Sequence, residues 1–385
     1  MEKTNDITLL KEPILPNINT MKKPIFVTQP TLPNLDEFHT SLKEIWASKW
    51  ITNNGTFHQQ FELELAKHLG VNYVSIFNNG TIALLTALQA LEIKGEVITT
   101  PYSFVATANS LLWNNLTPVF CDVDPIYGNL DAAKIETLIT PNTTAIMPVH
   151  VYGTPCDVNA IEQVAKKYQL KVIYDAAHAF GVEVNNNSVL NYGDLSVLSF
   201  HATKAFNTVE GGAIICHDAA TKEKIDQLKN FGITGETTVV APGINGKVNE
   251  LTAAYGLLQL KTIDSDIEKC KTITASYKEK LSNIKGLQCM PNIKNTKLNY
   301  SYFPIFIDEN KFGMSRNELY NKLKENNIFG RRYFYPLITD FPTYKNLATV
   351  SLPNAKEIAK QVICLPLYAA LTQDEINYII SIIKV

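Results

Sequence analysis

Short apolar runs alternate with amphipathic helical patterns along the first two thirds of the chain. The helical patterns include residues 35–50, 58–70 and 159–169, and the apolar runs include residues 97–99, 118–121, 145–149 and 171–174. Strands that are separated by helices usually pair in parallel, and their connecting helices then cover the two faces of the sheet. The alternation therefore predicts an α/β fold with a large, mostly parallel sheet.

The pattern changes in the last third of the chain. Residues 249–269 are apolar at helical spacing, residues 302–307 and 363–367 resemble strands, and residues 315–326 and 372–383 resemble helices. We therefore predict a large domain over residues 21–260 and a smaller C-terminal α/β domain over residues 261–385. Residues 1–20 precede a possible alternative start at Met21, and we expect them to form a loosely ordered extension.

Charge and cysteine usage exclude several classes of protein. A net charge of −2 over 385 residues gives no broad basic surface for nucleic acid or for an anionic membrane. No apolar run approaches the ~20 residues of a membrane helix, and the chain start lacks the features of a secretion signal. The six cysteines have no zinc-type spacing. We expect reduced thiols, a cytoplasmic protein and no metal site.

Lys204 lies where an apolar run, residues 195–198, passes into a polar turn. A lysine that is partly removed from water loses its proton more readily, so its amine can attack a carbonyl carbon and form an imine. A solvated surface lysine is the common alternative. The position of Lys204 makes it a candidate nucleophile.

Asp175 ends the apolar run of residues 172–174, and His178 follows three residues later. Carboxylates at the carboxyl ends of strands face the ligand site in open α/β sheets. Such a carboxylate can keep the ring nitrogen of pyridoxal phosphate (PLP) protonated. The alternatives are a helix N-cap at Asp175 and a purely structural role for His178.

Asn78, Asn79, Gly80 and Thr81 lie between a strand-like run, residues 73–77, and a helical pattern, residues 82–88. Glycine lets the backbone approach an anion closely, and the free N–H groups at the start of a helix bind phosphate. The segment is a candidate phosphate cradle, and an ordinary strand-turn-helix junction is the alternative.

Together these segments resemble the DegT/StrS sugar aminotransferases from about Met21 to the C-terminus. The resemblance is carried by residues 80–81, 175–178, 199–204, 210–213 and 243–247, which occur in the family's order. It implies fold-type I of the PLP-dependent transferases, the fold of aspartate aminotransferase. It also implies a homodimer whose active sites are shared between subunits.

The resemblance also implies a role for individual residues. Lys204 would hold PLP covalently as an imine and then move the proton, Asp175 would pair with the ring nitrogen, and His178 would lie near the phenolic oxygen. The other expected cofactor contacts are Gly80, Thr81 and Ser199 at the phosphate, Phe104 over the ring, and Asn245 from the second subunit. Lys247, Arg331 and Tyr335 are the expected substrate contacts.

The residues around Lys204 also indicate the reaction within this family. Related sugar dehydratases carry histidine at the lysine position, so Lys204 favours amino transfer, with L-glutamate as the donor that the family uses. His201 is typical of members that act on 4-keto-6-deoxyhexoses, although Ala205 stands where asparagine is usual. Residues 50–55 and 330–336 resemble the branch that makes dTDP-4-amino-4,6-dideoxyglucose (viosamine), a precursor of surface glycans such as the O-antigen of lipopolysaccharide.

Three alternatives remain open at this point. The enzyme could aminate a 3-keto sugar, or it could be a PLP-dependent lyase or dehydratase that shares the cofactor site. A non-enzymatic regulator is the third alternative. The sequence disfavours the regulator because Lys204 and Asp175 are both present and no further DNA-binding module flanks the domain.

Overall fold

The computed structural model describes residues 23–347 and 350–384. The extension predicted over residues 1–20 lies outside the described residues. The helices are α1 (Leu35–Ser48), α2 (Thr56–Leu69), α3 (Gly80–Ala90), α4 (Ala106–Trp113), α5 (Ala132–Ile135), α6 (Val158–Tyr168), α7 (Ala219–Leu228), α8 (Glu250–Leu260), α9 (Ile263–Leu281), α10 (Glu309–Phe312), α11 (Arg316–Glu325), α12 (Pro353–Gln361) and α13 (Gln373–Ile383). The strands are β1 (Ile25–Phe26), β2 (Tyr73–Phe77), β3 (Glu96–Thr99), β4 (Thr117–Phe120), β5 (Thr143–Met147), β6 (Lys171–Asp175), β7 (Glu183–Val184), β8 (Asn187–Ser188), β9 (Leu195–Ser199), β10 (Gly212–Cys216), β11 (Ile233–Gly235), β12 (Thr238–Val239), β13 (Leu287–Cys289), β14 (Thr296–Lys297), β15 (Phe303–Ile307), β16 (Ile328–Phe329) and β17 (Val362–Leu365).

The largest sheet among the described residues has seven strands, in the order β2-β10-β9-β6-β5-β3-β4. β10 runs antiparallel to both of its neighbours, and the other neighbouring pairs are parallel. The predicted α/β architecture with a mostly parallel sheet is therefore confirmed.

Helices cover both faces of this sheet, as β6 illustrates. Side chains point alternately to opposite faces of a strand. Val172 and Tyr174 pack in one core with residues of α2 and α6, whereas Ile173 packs in a second core with residues of α3 and α4. Because both faces are buried, the strand is a continuous apolar run rather than an alternating one.

The parallel arrangement brings several loops to one edge of the sheet. β2, β3, β6 and β9 point in the same direction, so the segments that follow them leave from the same edge. These segments contain Gly80, Phe104, His178 and Lys204. The carboxyl edge of a parallel sheet is where α/β proteins bind ligands.

A second sheet, β13-β15-β17, is antiparallel and lies in the C-terminal part of the chain. Its core contains buried side chains of α9, α11 and α13. Ile25 joins this core because β1 pairs in parallel with β16, some 300 residues later in the sequence. The domain boundaries predicted at residues 21 and 261 stay a prediction.

The helical pattern of residues 249–269 forms two helices. α8 ends at Leu260 and α9 begins at Ile263, and the intervening Thr262 donates its backbone N–H to Gln259 O at 3.1 Å, which tightens the last turn of α8.

None of the helices among the described residues is long and apolar enough to cross a membrane. All six cysteines are free thiols.

Candidate active site

Lys204 lies in the turn between β9 and β10, and its side chain is half-buried. The backbone N–H of Lys204 donates to His201 O at 2.9 Å, which fixes the turn. Burial lowers the pKa of the Lys204 amine to about 8, although the negative charge of Asp175 acts in the opposite direction. About a tenth of this amine is therefore neutral, and nucleophilic, at pH ~7, far more than for an ordinary lysine.

Asp175 is the last residue of β6 and is 5% exposed. Its Oδ2 accepts from Thr107 Oγ1 at 2.7 Å, and its Oδ1 accepts from the Ala177 N–H at 3.2 Å. Burial raises the pKa of the Asp175 carboxyl, while these hydrogen bonds and the charge of Lys204 oppose the rise. The described residues 176–181 form turns, so Asp175 does not cap a helix there, which was one alternative.

His178 lies in an aromatic environment beside these two residues. Its Nδ1 accepts from the Tyr152 N–H at 3.2 Å, and its ring centre lies 4.8 Å from that of Tyr302. The Phe334 ring is parallel to the imidazole at 5.8 Å. Burial lowers the pKa of His178 well below its usual value, so the imidazole is neutral.

Tyr302 connects the lysine to this aromatic cluster. The Lys204 amine lies 3.5 Å from the Tyr302 hydroxyl, and the Tyr302 ring also contacts those of Tyr152 and Tyr333. The hydroxyls of Tyr102 and Tyr152 both donate to Tyr333 O. We did not identify Tyr302 as a site residue from the sequence, where it only begins an apolar run.

The start of α3 has the geometry of an anion cradle. Asn79 caps the helix by accepting from the Ile82 N–H at 2.8 Å, and no group among the described residues accepts from the backbone N–H of Gly80 or Thr81. A Cβ at Gly80 would lie 3.0 Å from Ser199 Cβ. The absence of a side chain at Gly80 therefore lets the Ser199 hydroxyl lie beside the open helix terminus, where an anion would also meet the positive end of the helix dipole.

Phe104 lies in the loop that precedes α4, close to Asp175. Its carbonyl accepts from the N–H of Thr107, the residue whose hydroxyl donates to Asp175. The Phe104 side chain is 61% exposed. A large aromatic ring exposed at the rim of a polar site is available to stack on a planar ligand.

Asn245 and Lys247 lie on the loop before α8. The backbone of this loop contacts the segment before the cradle, because Asn78 donates its Nδ2 to Asn245 O at 3.2 Å and its N–H to Gly246 O at 3.0 Å. The Asn245 side chain is exposed. The Lys247 amine lies 4.2 Å from the centre of the Phe231 ring, and burial lowers the pKa of Lys247.

Arg331 and Tyr335 lie on the segment that follows β16. The backbone of Arg331 exchanges two hydrogen bonds with Cys364, at 3.1 and 2.7 Å, and its side chain is exposed. Tyr335 is 42% exposed and packs against the guanidinium of Arg316. The same segment carries Tyr333, whose ring centre is 5.8 Å from that of Tyr302. The segment therefore forms one wall of the region around Lys204.

These residues fit pyridoxal phosphate on chemical grounds. Asp175 is a buried carboxylate whose protein donors are a hydroxyl and one N–H, so it can accept a further hydrogen bond from a protonated ring nitrogen. Gly80, Thr81 and Ser199 offer donors for a phosphate. Lys204 offers an amine of lowered pKa. PLP carries an aldehyde, a phosphate and a basic ring nitrogen, and the site offers an amine, hydrogen-bond donors and a carboxylate that suit these three groups in turn.

We expect the apoenzyme to take up PLP faster as the pH rises, up to a plateau. A free lysine has a pKa near 10.5, whereas that of Lys204 is about 8, so its neutral fraction rises about tenfold per pH unit below 8 and levels off above it. The rate of PLP uptake, followed by absorbance from pH ~6 to ~10, measures this titration. A rise that continues to pH ~10 would instead describe an ordinary solvated lysine.

Comparison with known proteins extends these observations. The sequence profile of the DegT/DnrJ/EryC1/StrS aminotransferase family matches residues 34–384. Over 365 residues the chain is 56% identical to a dTDP-4-amino-4,6-dideoxy-D-glucose transaminase of Shigella dysenteriae, which covers 94% of this chain and 99% of the relative. A protein of the same name from Escherichia coli is 53% identical over 91% of this chain and 96% of its own length. A crystal structure of DesI with its TDP-sugar product superposes with a TM-score of 0.91 at 32% identity, covering 94% of this chain and 93% of that one. The matched range, residues 34–384, spans the positions of the site described above.

Proposed function

This chain belongs to the DegT/DnrJ/EryC1/StrS aminotransferase family, and from that membership we propose that it transfers an amino group from L-glutamate to a dTDP-linked 4-keto-6-deoxyhexose. It has the fold of the fold-type I enzymes and is a sugar aminotransferase. The product of the proposed reaction is a dTDP-linked 4-amino-4,6-dideoxysugar. Identity of more than half over nearly the full length of two transaminases supports this substrate.

One observation carries the chemical part of the proposal: a lysine amine of lowered pKa lies beside a buried carboxylate and a neutral histidine. Transamination needs an amine that exchanges with the substrate's amino group and a base that moves a proton between two carbons. A neutral lysine can do both. PLP, when bound, supplies a positively charged ring that stabilises the carbanion formed when that proton leaves.

We assign the roles of the other residues as follows. Gly80, Thr81 and Ser199 hold the cofactor phosphate, and Phe104 covers one face of the ring. Asp175 keeps the ring nitrogen protonated, and Lys204 attaches the cofactor covalently. His178 orients the ring from the side of the phenolic oxygen; its Nδ1 already accepts a backbone N–H, which leaves Nε2 as the donor of the neutral imidazole. Lys247, Arg331 and Tyr335 contact the substrate.

We further propose that the working unit is a homodimer in which Asn245 reaches the phosphate of the second subunit. The exposed side chain of Asn245 lies near an apolar surface at the β11–β12 hairpin, formed by the partly exposed side chains of Phe231, Ile233, Val239, Val240 and Ile244. Exposed apolar patches of this kind mark surfaces that another protein covers. A second copy of the chain would cover the patch and bring its own cradle to Asn245.

We place the reaction in the cytoplasm and its product in a surface glycan such as the O-antigen. The cysteine chemistry supports this location. Four of the six free thiols are buried, and burial raises the pKa of each of these four. Buried thiols of raised pKa are inert, as expected of a protein that folds without disulfides.

The test is a two-step reaction of the purified holoenzyme. L-glutamate alone should change the absorbance of the cofactor and release 2-oxoglutarate, and dTDP-4-keto-6-deoxyglucose should then restore the original spectrum and yield an aminated sugar by mass spectrometry. If glutamate acts and this sugar does not, the enzyme class holds but the substrate is wrong. The corresponding 3-keto sugar and a GDP-linked 4-keto sugar then show which part of the substrate differs. No response to glutamate would favour a lyase or dehydratase.

A further inference from the structure

The chain uses arginine at one place only. Of its 35 lysine and arginine residues, only three are arginines: Arg316, Arg331 and Arg332. Arg316 and Arg332 contact the same side chain, because their guanidinium carbons lie 4.2 and 5.2 Å from the centre of the Tyr335 ring. Lysine supplies the positive charge elsewhere. Arginine differs from lysine in having a planar group that stacks on a ring and binds two oxygens at once. Its use at this place therefore indicates that this property is required here.

Few protein acceptors engage these arginines among the described residues. Arg316 is 4% exposed; its Nη1 donates to Val362 O at 3.1 Å, and its Nε has no acceptor among the described residues. Buried donors without an acceptor are rare in proteins and call for a partner. Arg332 donates to Asn317 Oδ1 at 2.9 Å and stacks on Tyr320. Within residues 23–347 and 350–384, no carboxylate forms an ion pair with any of the three arginines.

Arg316, Asn317 and Tyr335 line a cavity of about 160 Å³ that a phosphate group could enter. Three acidic residues also line it, and two of them are paired with lysines. Asp308 pairs with Lys311 at 2.7 Å, Glu309 pairs with Lys360 at 2.8 Å, and Glu357 accepts from the side chain of Gln361 at 2.5 Å. Among the described residues, the buried Arg316 guanidinium of this cavity therefore has no carboxylate partner.

The cavity adjoins the candidate active site. Tyr335 is two residues from Tyr333, a separation of at most ~7 Å along the chain. The Tyr333 ring contacts Tyr302, whose hydroxyl lies 3.5 Å from the Lys204 amine. An anion in the cavity would thus lie on the wall of the region where the sugar reacts.

We propose that Arg316, Arg332 and Tyr335 bind the diphosphate of the nucleotide sugar. This assignment rests on the proposed function, because it is the nucleotide sugar that brings a diphosphate to this wall. Two guanidinium groups held against one phenol ring are pre-organised for adjacent phosphates. The arginines would then set affinity for the nucleotide, and Lys204 would remain responsible for the chemistry.

The test is calorimetric titration of the holoenzyme with dTDP and with inorganic pyrophosphate. Arg332→Lys and Arg316→Lys keep the charge but lose the planar fork, so we expect Kd for both ligands to rise roughly tenfold or more. Lys324→Ala is the matched control, since it removes a positive charge from the exposed side of α11 without touching the cavity. Its Kd values should equal those of the wild type.

Several results would overturn the assignment. They are an unchanged Kd in both arginine variants, equal weakening by Lys324→Ala, or failure of the wild type to bind pyrophosphate or any of dTDP, GDP and UDP. Loss of glutamate binding with intact dTDP binding would also overturn it, because the arginines would then serve the donor carboxylate. If GDP or UDP binds in place of dTDP and the arginine variants weaken that binding, the arginine site stands and the nucleotide of the proposed function is wrong. Thermal unfolding checks each variant, and Arg332→Lys decides the matter if the buried Arg316→Lys variant fails to fold.

Discussion

Lys204→Ala is expected to lower the rate of amino transfer by about 10⁴-fold or more, because it removes both the nucleophile and the base. The Lys204 amine lies beside Asp175 and Tyr302, and burial prepares it by lowering its pKa to about 8. The measurement is kcat for the sugar reaction, together with the absorbance of the bound cofactor, which should lack the band of the lysine-attached form.

A second variant separates the amine from its charge. Lys204→Arg keeps a positive group near Asp175, but a guanidinium is always protonated and cannot act as nucleophile or base. We expect it to be as inactive as the alanine variant. Partial recovery of Lys204→Ala by small primary amines in solution would support the role as base. Wild-type activity in either variant would contradict it.

Asp175→Asn is expected to lower kcat by about 10²–10³-fold, because a neutral amide cannot stabilise a protonated ring nitrogen. The carboxylate is held in place by Thr107 and Ala177, and an amide of the same shape can fill the same space. The NH₂ group of the asparagine would, however, face one of the two donors to the carboxylate, the Thr107 hydroxyl or the Ala177 N–H. The measurement is kcat at saturating sugar nucleotide, with the cofactor content of the variant determined in parallel.

Thr107→Val is the matched control for Asp175. It removes the 2.7 Å hydrogen bond to Oδ2 but leaves the carboxylate in the site. That hydrogen bond lowers the pKa of Asp175, so its loss should raise the pKa further, and the loss of activity should grow as the pH falls. We expect a loss of about tenfold or less at neutral pH. A loss as large as that of Asp175→Asn would mean that the geometry around Thr107 matters more than the charge.

Much of the seven-stranded sheet follows from the sequence pattern. Residues 172–174 are apolar in succession because Val172 and Ile173 face different cores, and the structure places a central strand there. The antiparallel direction of β10 could not be predicted from its own residues, because it is set by pairing with β9 and with β2, and β2 lies far away in the sequence. The break between α8 and α9 was also not predicted from the sequence, because apolar residues continue at helical spacing across it.

The candidate site likewise has a part that the sequence pattern predicts and a part that it does not. Gly80, Asp175 and Lys204 each follow a strand of the same sheet, so their convergence could be expected from the parallel topology. Tyr302 reaches Lys204 from the C-terminal part of the chain. Contacts between distant segments depend on how two cores pack together, and no local pattern encodes them. The role of each residue toward cofactor and substrate stays a prediction.

The pairing of β1 with β16 has a consequence for synthesis on the ribosome. Ile25 emerges early, but its partner Ile328 follows roughly 300 residues later, which at ~5–20 residues per second is a delay of about 15–60 s. All seven strands of the large sheet have emerged once β10 has emerged, so this sheet can form before the partner of Ile25 has been synthesised. During that interval a short apolar strand has no partner. We expect the newly made chain to be a substrate for chaperones at its N-terminal end until residues 328–329 leave the exit tunnel.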